Sequence, residues 1–179
     1  KQENNDIARL VGIIHGDGNM SFKRVLITDE CLEYHKTMIH PLFQRLFGIK
    51  LNLYHDKVRN SFYSHTKNRA LYKYLTQTLN LPNGAVRDKI KITKTMRAWP
   101  LEMKANYLAG MIDSEGYVSK RQAEIELSIT ARNVFNFIKS VLNQLDIKYS
   151  MRVRKRNGRS KFDYTLHIYG KERLKILSN

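Results

Sequence analysis

Cysteine is almost missing from this chain: Cys31 is the only one in 179 residues. No intramolecular disulfide framework can form, and the chain suits a reducing compartment, with Cys31 read as a small buried hydrophobe. Long apolar runs are missing too. Nothing approaches the roughly 20 residues that span a bilayer, and the N-terminus Lys1-Gln2-Glu3-Asn4-Asn5 is polar rather than signal-like. A soluble, intracellular protein is expected, with no membrane partner. The first residue is not methionine, as in a trimmed chain. No phosphate-binding glycine string of the Gly-x-x-x-x-Gly-Lys or Gly-x-Gly-x-x-Gly kind occurs, which removes the main support for a nucleotide-cofactor enzyme. The six histidines, His15, His35, His40, His55, His65 and His167, have no zinc-site spacing.

Acidic residues are scarce as well: 16 Asp+Glu stand against 32 Lys+Arg, a formal charge of +16. Such an excess calls for a polyanion. The 42% hydrophobic content excludes a disordered basic tail and provides for one domain or two small ones. The charge is concentrated near the end, where Lys148, Arg152, Arg154, Lys155, Arg156, Arg159 and Lys161 occur with no acid between them. A two-residue period puts Lys148, Ser150, Arg152 and Arg154 on one face and Tyr149, Met151 and Val153 on the other. Asn157-Gly158 reads as a hairpin turn, and Phe162, Tyr164, Leu166 and Ile168 form the apolar face of the returning strand. A basic two-stranded ribbon fits the major groove of DNA. On charge alone, a solvated ribbon or a structural RNA contact fits equally well.

The chain repeats itself. Leu10-Val11-Gly12-Ile13-Ile14-His15-Gly16-Asp17-Gly18 matches Leu108-Ala109-Gly110-Met111-Ile112-Asp113-Ser114-Glu115-Gly116 at an offset of 98. Gly48-Ile49-Lys50 falls on Asp146-Ile147-Lys148 at the same offset, and Leu26-Ile27-Thr28 answers Ser128-Ile129-Thr130 after a drift. The boundaries expected are a first repeat over 1–82, a linker over 83–99 and a second repeat over 100–179. Each copy reads as helix, hairpin, helix, hairpin, helix. The first has helices near 6–16, capped at Asn5 or Asp6, 30–47 and 68–79, with strands near 19–21, 23–28, 51–57 and 61–66. Pro41 marks a kink, and Val25 and Ile27 compete with Leu26 for the inside. In the second, Pro100 is expected at the first helical position of 101–114, followed by strands 117–120 and 123–129, a helix 131–145, the basic ribbon and a last helix 171–177.

The motif helices carry small residues four apart, Gly12 with Gly16 and Gly110 with Ser114, so two such strips can pack with backbones nearly touching. Packing would bring the helix C-termini together, and each ends in a carboxylate, Asp17 or Glu115. Two carboxylates there repel each other and oppose the helix dipoles unless a cation sits between them. A hard divalent metal removes the difficulty, and with a phosphodiester partner it points to metal-assisted hydrolysis. A structural helix pair whose acids face water is the plainer alternative.

At these residues the sequence resembles the LAGLIDADG homing endonucleases of the single-chain, two-motif type. The residues from Leu108 to Gly116 give a near-complete motif and those from Leu10 to Gly18 a looser one, with His15 where the family usually has an acid. The resemblance implies an α+β fold of two pseudo-symmetric αββαββα copies packed through the motif helices, with two antiparallel DNA-binding sheets. It implies a monomer that cuts both strands of a long pseudo-palindromic duplex with Mg²⁺, or another divalent cation such as Mn²⁺ or Ca²⁺ in a non-cleaving complex, leaving short 3′ overhangs. Asp17 and Glu115 would be the metal ligands, assisted by the carbonyls of Gly16 and Ser114.

The family also places a polar or basic group at the end of each copy's second strand, where Asp29 and Thr130 or Ala131 stand here. It places a lysine after the third helix. Among the basic residues Arg87, Lys89 and Lys120, the catalytic candidates are Lys89 and Lys120, and ordinary phosphate neutralisation explains them equally well. DNA-reading residues are expected on the outward sheet faces: Lys23, Arg24, Asn52, Tyr54, Lys57, Arg59, Asn60, Tyr63, His65, Arg121, Glu124, Glu126, Arg152, Arg154, Arg156, Arg159, Lys161, Asp163 and His167. The alternative reading is a LAGLIDADG-type maturase that binds intron RNA, or a non-cleaving DNA-binding protein.

Overall fold

The computed structural model describes residues 4–85, 89–119, 124–155 and 162–169. The expectations at Arg87, Lys120, Arg121, Arg156, Arg159 and Lys161, at the Asn157-Gly158 turn and over the last helix lie outside the described residues. Helix α1 (Asn5–Asp17) opens on Asn4, whose side chain accepts from the Ile7 N–H. The cap is therefore one residue earlier than expected, because Asn4 is the last residue in extended backbone. A hairpin of β1 (Gly18–Met20) and β2 (Val25–Asp29) follows. Next comes α2, running through Leu32–Tyr34, a π turn at His35–Ile39 and His40–Phe47. That turn lies just before Pro41, where a missing N–H and the ring prevent a regular α ladder. Strands β3 (Asn52–Asp56) and β4 (Ser61–Thr66) then lead into α3 (Arg69–Lys73), which continues as a π turn over Tyr74–Thr78.

Within the segment expected as the linker, the described residues include β5 (Gly84–Ala85) and α4 (Lys94–Ala98). The second copy repeats the order with α5 (Leu101–Glu115), β6 (Gly116–Ser119), β7 (Glu124–Ile129), α6 (Arg132–Gln144), β8 (Ser150–Lys155) and β9 (Phe162–Tyr169). Pro100 is the cap of α5 rather than its first residue.

All pairings are antiparallel, in the orders β3-β4-β2-β1-β5 and β6-β7-β9-β8. Apart from β5, the two sheets are copies. The second strand pairs at Gly18 with Ile27 in one and at Gly116 with Leu127 in the other. Leu26-Ile27-Thr28 thus answers Glu126-Leu127-Ser128, not Ser128-Ile129-Thr130, since the second hairpin is two residues longer and not four. Gly48 and Asp146 are equivalent in conformation as well as offset: both adopt left-handed backbone, with φ of 66° and 52°, where a helix ends.

Val25 and Ile27 turn inward, settling the register that the sequence left open. Ile125, Leu127 and Ile129 of β7 and Leu166 and Ile168 of β9 do the same in the other sheet. They pack against α1, α5 and the apolar stripes of α2 (Ile39, Leu42, Phe43, Leu46) and α6 (Val134, Ile138, Val141, Leu142) in one continuous core. Two expectations fail here. Met151 and Val153 are exposed, because β8 is a sheet edge, and Cys31 is exposed at the mouth of α2 instead of buried.

Candidate nucleic-acid interface and acidic centre

The geometry of the centre begins with glycine. Along the seam between α1 and α5, a β-carbon on Gly12 would overlap the carbonyl oxygen of Tyr107, and one on Gly110 would overlap that of Arg9. The contacts are backbone on backbone and reciprocal, so the helices cross at a distance that no side chain allows. Further along, a β-carbon on Gly16 would lie 2.7 Å from Ser114 Cβ and 3.0 Å from Glu115 Cγ. The end of α1 therefore touches the end of α5, and Asp17 is the residue next to that touching point. Both helices stop the same way, with the N–H of Gly18 on the Ile14 carbonyl and that of Gly116 on the Ile112 carbonyl. The carbonyls of Gly16 and Ser114 fall in the last turns, without partners within their helices.

Each acid lines its own cleft. Asp17 opens on one of about 730 Å³, lined also by Thr28, Asp29, Arg59, Tyr63 and the partner helix's Ser114. Glu115 faces a much tighter one of about 20 Å³, with Ser128, Thr130, Ala131 and the partner helix's His15. The two clefts are built from corresponding strand ends, one on each side of the seam. Their contents differ: Arg59 comes in from the β3–β4 turn on the Asp17 side, whereas no Lys or Arg lines the Glu115 side among the described residues. Asp29, at the strand end where a cation or amide was expected, is used by the backbone, accepting from the Cys31 N–H at 2.6 Å. Lys89 is absent from the lining of both clefts. Its Nζ donates to the Asn83 carbonyl at 3.3 Å instead.

Beside an exposed hydrogen bond from the Asn5 amide to Glu102, two part-buried or buried pairs cross the seam and hold the helices in register. Arg9 donates to Asp113 Oδ2 from Nη2 at 2.7 Å and from Nε at 3.1 Å. His15 Nδ1 meets the Tyr107 hydroxyl at 2.9 Å, packing edge-on to its ring. Burial pushes the His15 imidazole down to about 3 and the Tyr107 phenol up, so this pair is neutral. Burial also raises the Asp113 carboxyl against the pull of Arg9. His15 is thus a packing residue, and the partners Arg9 and Tyr107 were not singled out from sequence. Their signal is that each precedes the leucine that opens its own motif.

The outward faces carry most of the residues expected to read DNA. Leu26 pairs with His65 and Thr28 with Tyr63, and those pair on with Asn52 and Tyr54, so these side chains share the face opposite the core. Lys23 and Arg24 sit at the β1–β2 turn, while Lys57, Arg59 and Asn60 sit at the β3–β4 turn. In the second sheet Glu124, Glu126, Asp163, His167, Arg152 and Arg154 share the corresponding face by register.

Comparison with known proteins accords with this geometry. Residues 102–178 match the LAGLIDADG-like domain family. Crystal structures of the homing endonuclease I-DmoI superpose with TM-scores of 0.70 to 0.71 at 20% identity; its complex with DNA and Mn is one, covering 97% of this chain and 94% of that one. The chain has the I-DmoI fold, and its second half resembles the LAGLIDADG-like domain. The same fold extends to full-length DUF199/WhiA of Thermatoga maritima, with a TM-score of 0.67 at 13% identity over 99% of this chain and 56% of that one. Among curated sequences it is 25% identical over 166 residues to a probable translation initiation factor IF-2 of Methanocaldococcus jannaschii, covering 88% of this chain. An uncharacterized protein of that organism is 24% identical over 86% of this chain. This chain spans only 14% and 53% of the lengths of those two relatives.

Proposed function

We propose that this chain is a LAGLIDADG-type, site-specific, divalent-metal-dependent DNA endonuclease, cutting both strands of a long pseudo-palindromic duplex and leaving short 3′ overhangs. The observation that carries the reading is the contact between the two helix ends, Gly16 against Ser114 and Glu115, which gathers one carboxylate from each copy beside one seam. The donor set fits a hard cation: two carboxylates with helix-end carbonyls at Gly16 and Ser114, all oxygen. A bound Mg²⁺ or Mn²⁺ would supply an activated water and charge relief on the departing oxygen. The chain's own residues do the rest. Asp17 and Glu115 would hold the cation, and the Arg9–Asp113 and His15–Tyr107 pairs fix the helices that present them. Arg59 places a guanidinium in the Asp17 cleft, suited to a phosphate oxygen. The outward sheet faces and the +16 charge hold the duplex. Lys89 and Lys120 stay candidates for the peripheral basic role, and the protein acts as a monomer, since both halves of the site come from one chain.

A non-cleaving DNA-binding protein is the second reading, favoured by one observation: the fold is shared with DUF199/WhiA at a TM-score of 0.67, below the 0.70 for I-DmoI but over 99% of this chain. The experiment is cleavage of a plasmid library carrying a randomised long site, with Mg²⁺ or with chelator. Double-strand cutting that Asp17→Asn or Glu115→Gln abolishes while binding persists supports the nuclease. Tight binding with no cutting by the unaltered protein supports the second reading.

A further inference from the structure

The outward face of β7 contains a combination that a polyanion-binding surface should avoid. Ile125, Leu127 and Ile129 are buried in the core, so Glu124 and Glu126 belong to the face turned away from it. His167 of β9 stands directly opposite Glu126. Ligand atoms of Glu124, Glu126 and His167 all lie within 4.8 Å of one another. His167 Nδ1 is hydrogen-bonded to Glu124 Oε1, and Glu124 is only 5% exposed. Among the described residues no hydrogen bond or ion pair reaches the Glu126 carboxylate. An acceptor-only group is thus held beside another carboxylate, on a face where phosphates would repel it, with His167 locking its neighbour in place. The arrangement becomes favourable when a donor from the partner enters between the acids.

We propose that Glu126, supported by Glu124 and His167, selects a cytosine by accepting from its exocyclic N4 amino group in the major groove. Two base amines are presented there, cytosine N4 and adenine N6. Adenine carries the N7 acceptor beside its amine, and that lone pair would face the second carboxylate. Cytosine carries only a C–H there, so paired acids discriminate against adenine. Guanine and thymine present acceptors to an acceptor and are rejected outright. Tyr117, two residues after Glu115, pairs with Glu126, which places the acid about 7 Å along the sheet from the catalytic end. The cytosine therefore belongs to the base pairs nearest the cut, not to the flanks of the site. The inference rests on the DNA-binding part of the function proposed above, not on cleavage.

The test is selection of randomised duplexes by the full chain in chelator, followed by sequencing and competition binding, for the unaltered protein, Glu126→Gln and His167→Gln. The expected result is one cytosine, near the centre of the selected sites, preferred at least fivefold over other bases. Glu126→Gln should lose that preference and gain adenine, because a Gln amide pairs with adenine N6 and N7. His167→Gln should weaken the cytosine preference, with the salt slope of non-specific binding unchanged in both variants to show intact docking. Sites recovered without a central cytosine, or with one that Glu126→Gln leaves unchanged, overturn the inference and leave DNA binding standing. Recovery of no DNA overturns both. Titration of the metal-free chain with Zn²⁺ or Mn²⁺ is the control, and an ion bound in a Glu126-dependent manner overturns base readout in favour of a cation site.

Discussion

His15 and Tyr107 meet across the helix seam as Arg9 and Asp113 do, at positions related by the same offset of 98: 9 answers 107 and 15 answers 113. One pair is neutral and the other is an ion pair, and water decides which. His15 is 2% exposed and Tyr107 fully buried, whereas the Arg9 and Asp113 side chains keep 21% and 23% of their surface. A charged pair stripped of water gains little from its own attraction, so the drier place takes the neutral pair. The contrast between His15 in one copy and Asp113 in the other is thereby explained by their partners.

Exchanging the types should therefore be unequal in effect. His15→Asp puts a carboxylate in the dry site with no cation, at a cost of about 3 kcal/mol. Asp113→His leaves a neutral acceptor for Arg9 where water still reaches and should cost about 1 kcal/mol. Urea unfolding at pH 7 measures both; equal losses would contradict the account.

The seam glycines divide by what they touch. Gly12→Ala and Gly110→Ala press a methyl onto backbone carbonyls that cannot move without separating the helices, so each should cost roughly 1–3 kcal/mol or more. Gly16→Ala instead presses on the side chains of Ser114 and Glu115. It should lose stability, because Ser114 Cβ at 2.7 Å cannot swing away, and lose cutting by displacing Glu115; a second change, Ser114→Gly, should restore part of both. A Gly16→Ala protein with normal cleavage would separate that contact from function.

The sequence was most legible where geometry repeats. The motif helices, their small-residue strip and the terminal acids recur at one offset, and two independent copies rule out coincidence. The strand faces of β7 and β9 also follow from alternation. Less legible was whatever depended on neighbours across the fold. Arg59 belongs to the Asp17 cleft only because β4 lies beside β2, a pairing that no local pattern encodes. The exposure of Met151 and Val153 follows from β8 lying at an edge, which alternation cannot reveal. Lys89, a candidate because it is basic and follows the third helix, donates one of its three N–H groups to the Asn83 carbonyl, a contact that no local pattern encodes.

A pH response should come from His15, whose imidazole is held by burial at about 3, and from a histidine pair beneath the first sheet. His35 Nδ1 and His40 Nε2 both bond to the Ser64 hydroxyl, at 2.7 and 2.9 Å. Burial lowers both imidazoles below 6.5; Asp29 works against this at His35, and Lys50 adds to it at His40. Lowered histidines favour the fold above their unfolded value, and that contribution is lost as pH falls from 6.5 through the folded values. Unfolding free energy should thus decline below pH 6.5, and His35→Asn should flatten the part of the decline that His15 does not supply. A variant with the same slope as the parent would place the response elsewhere.

Salt dependence separates holding from reading. Each neutralised phosphate contributes about −0.9 to the slope of log affinity against log salt. Arg152 and Arg154 stand exposed on the edge strand β8, on the outward face and away from the buried Glu124. Replacing both with Ala should make the slope shallower by about 2 and weaken all sequences alike, because edge guanidiniums reach backbone before bases. Base preferences should then stay as they were, measured by competition among duplexes that differ at single positions. If the double variant instead changes which base is favoured and keeps its slope, those arginines read bases, and the division of labour between the basic edge and the acidic centre of this sheet is wrong.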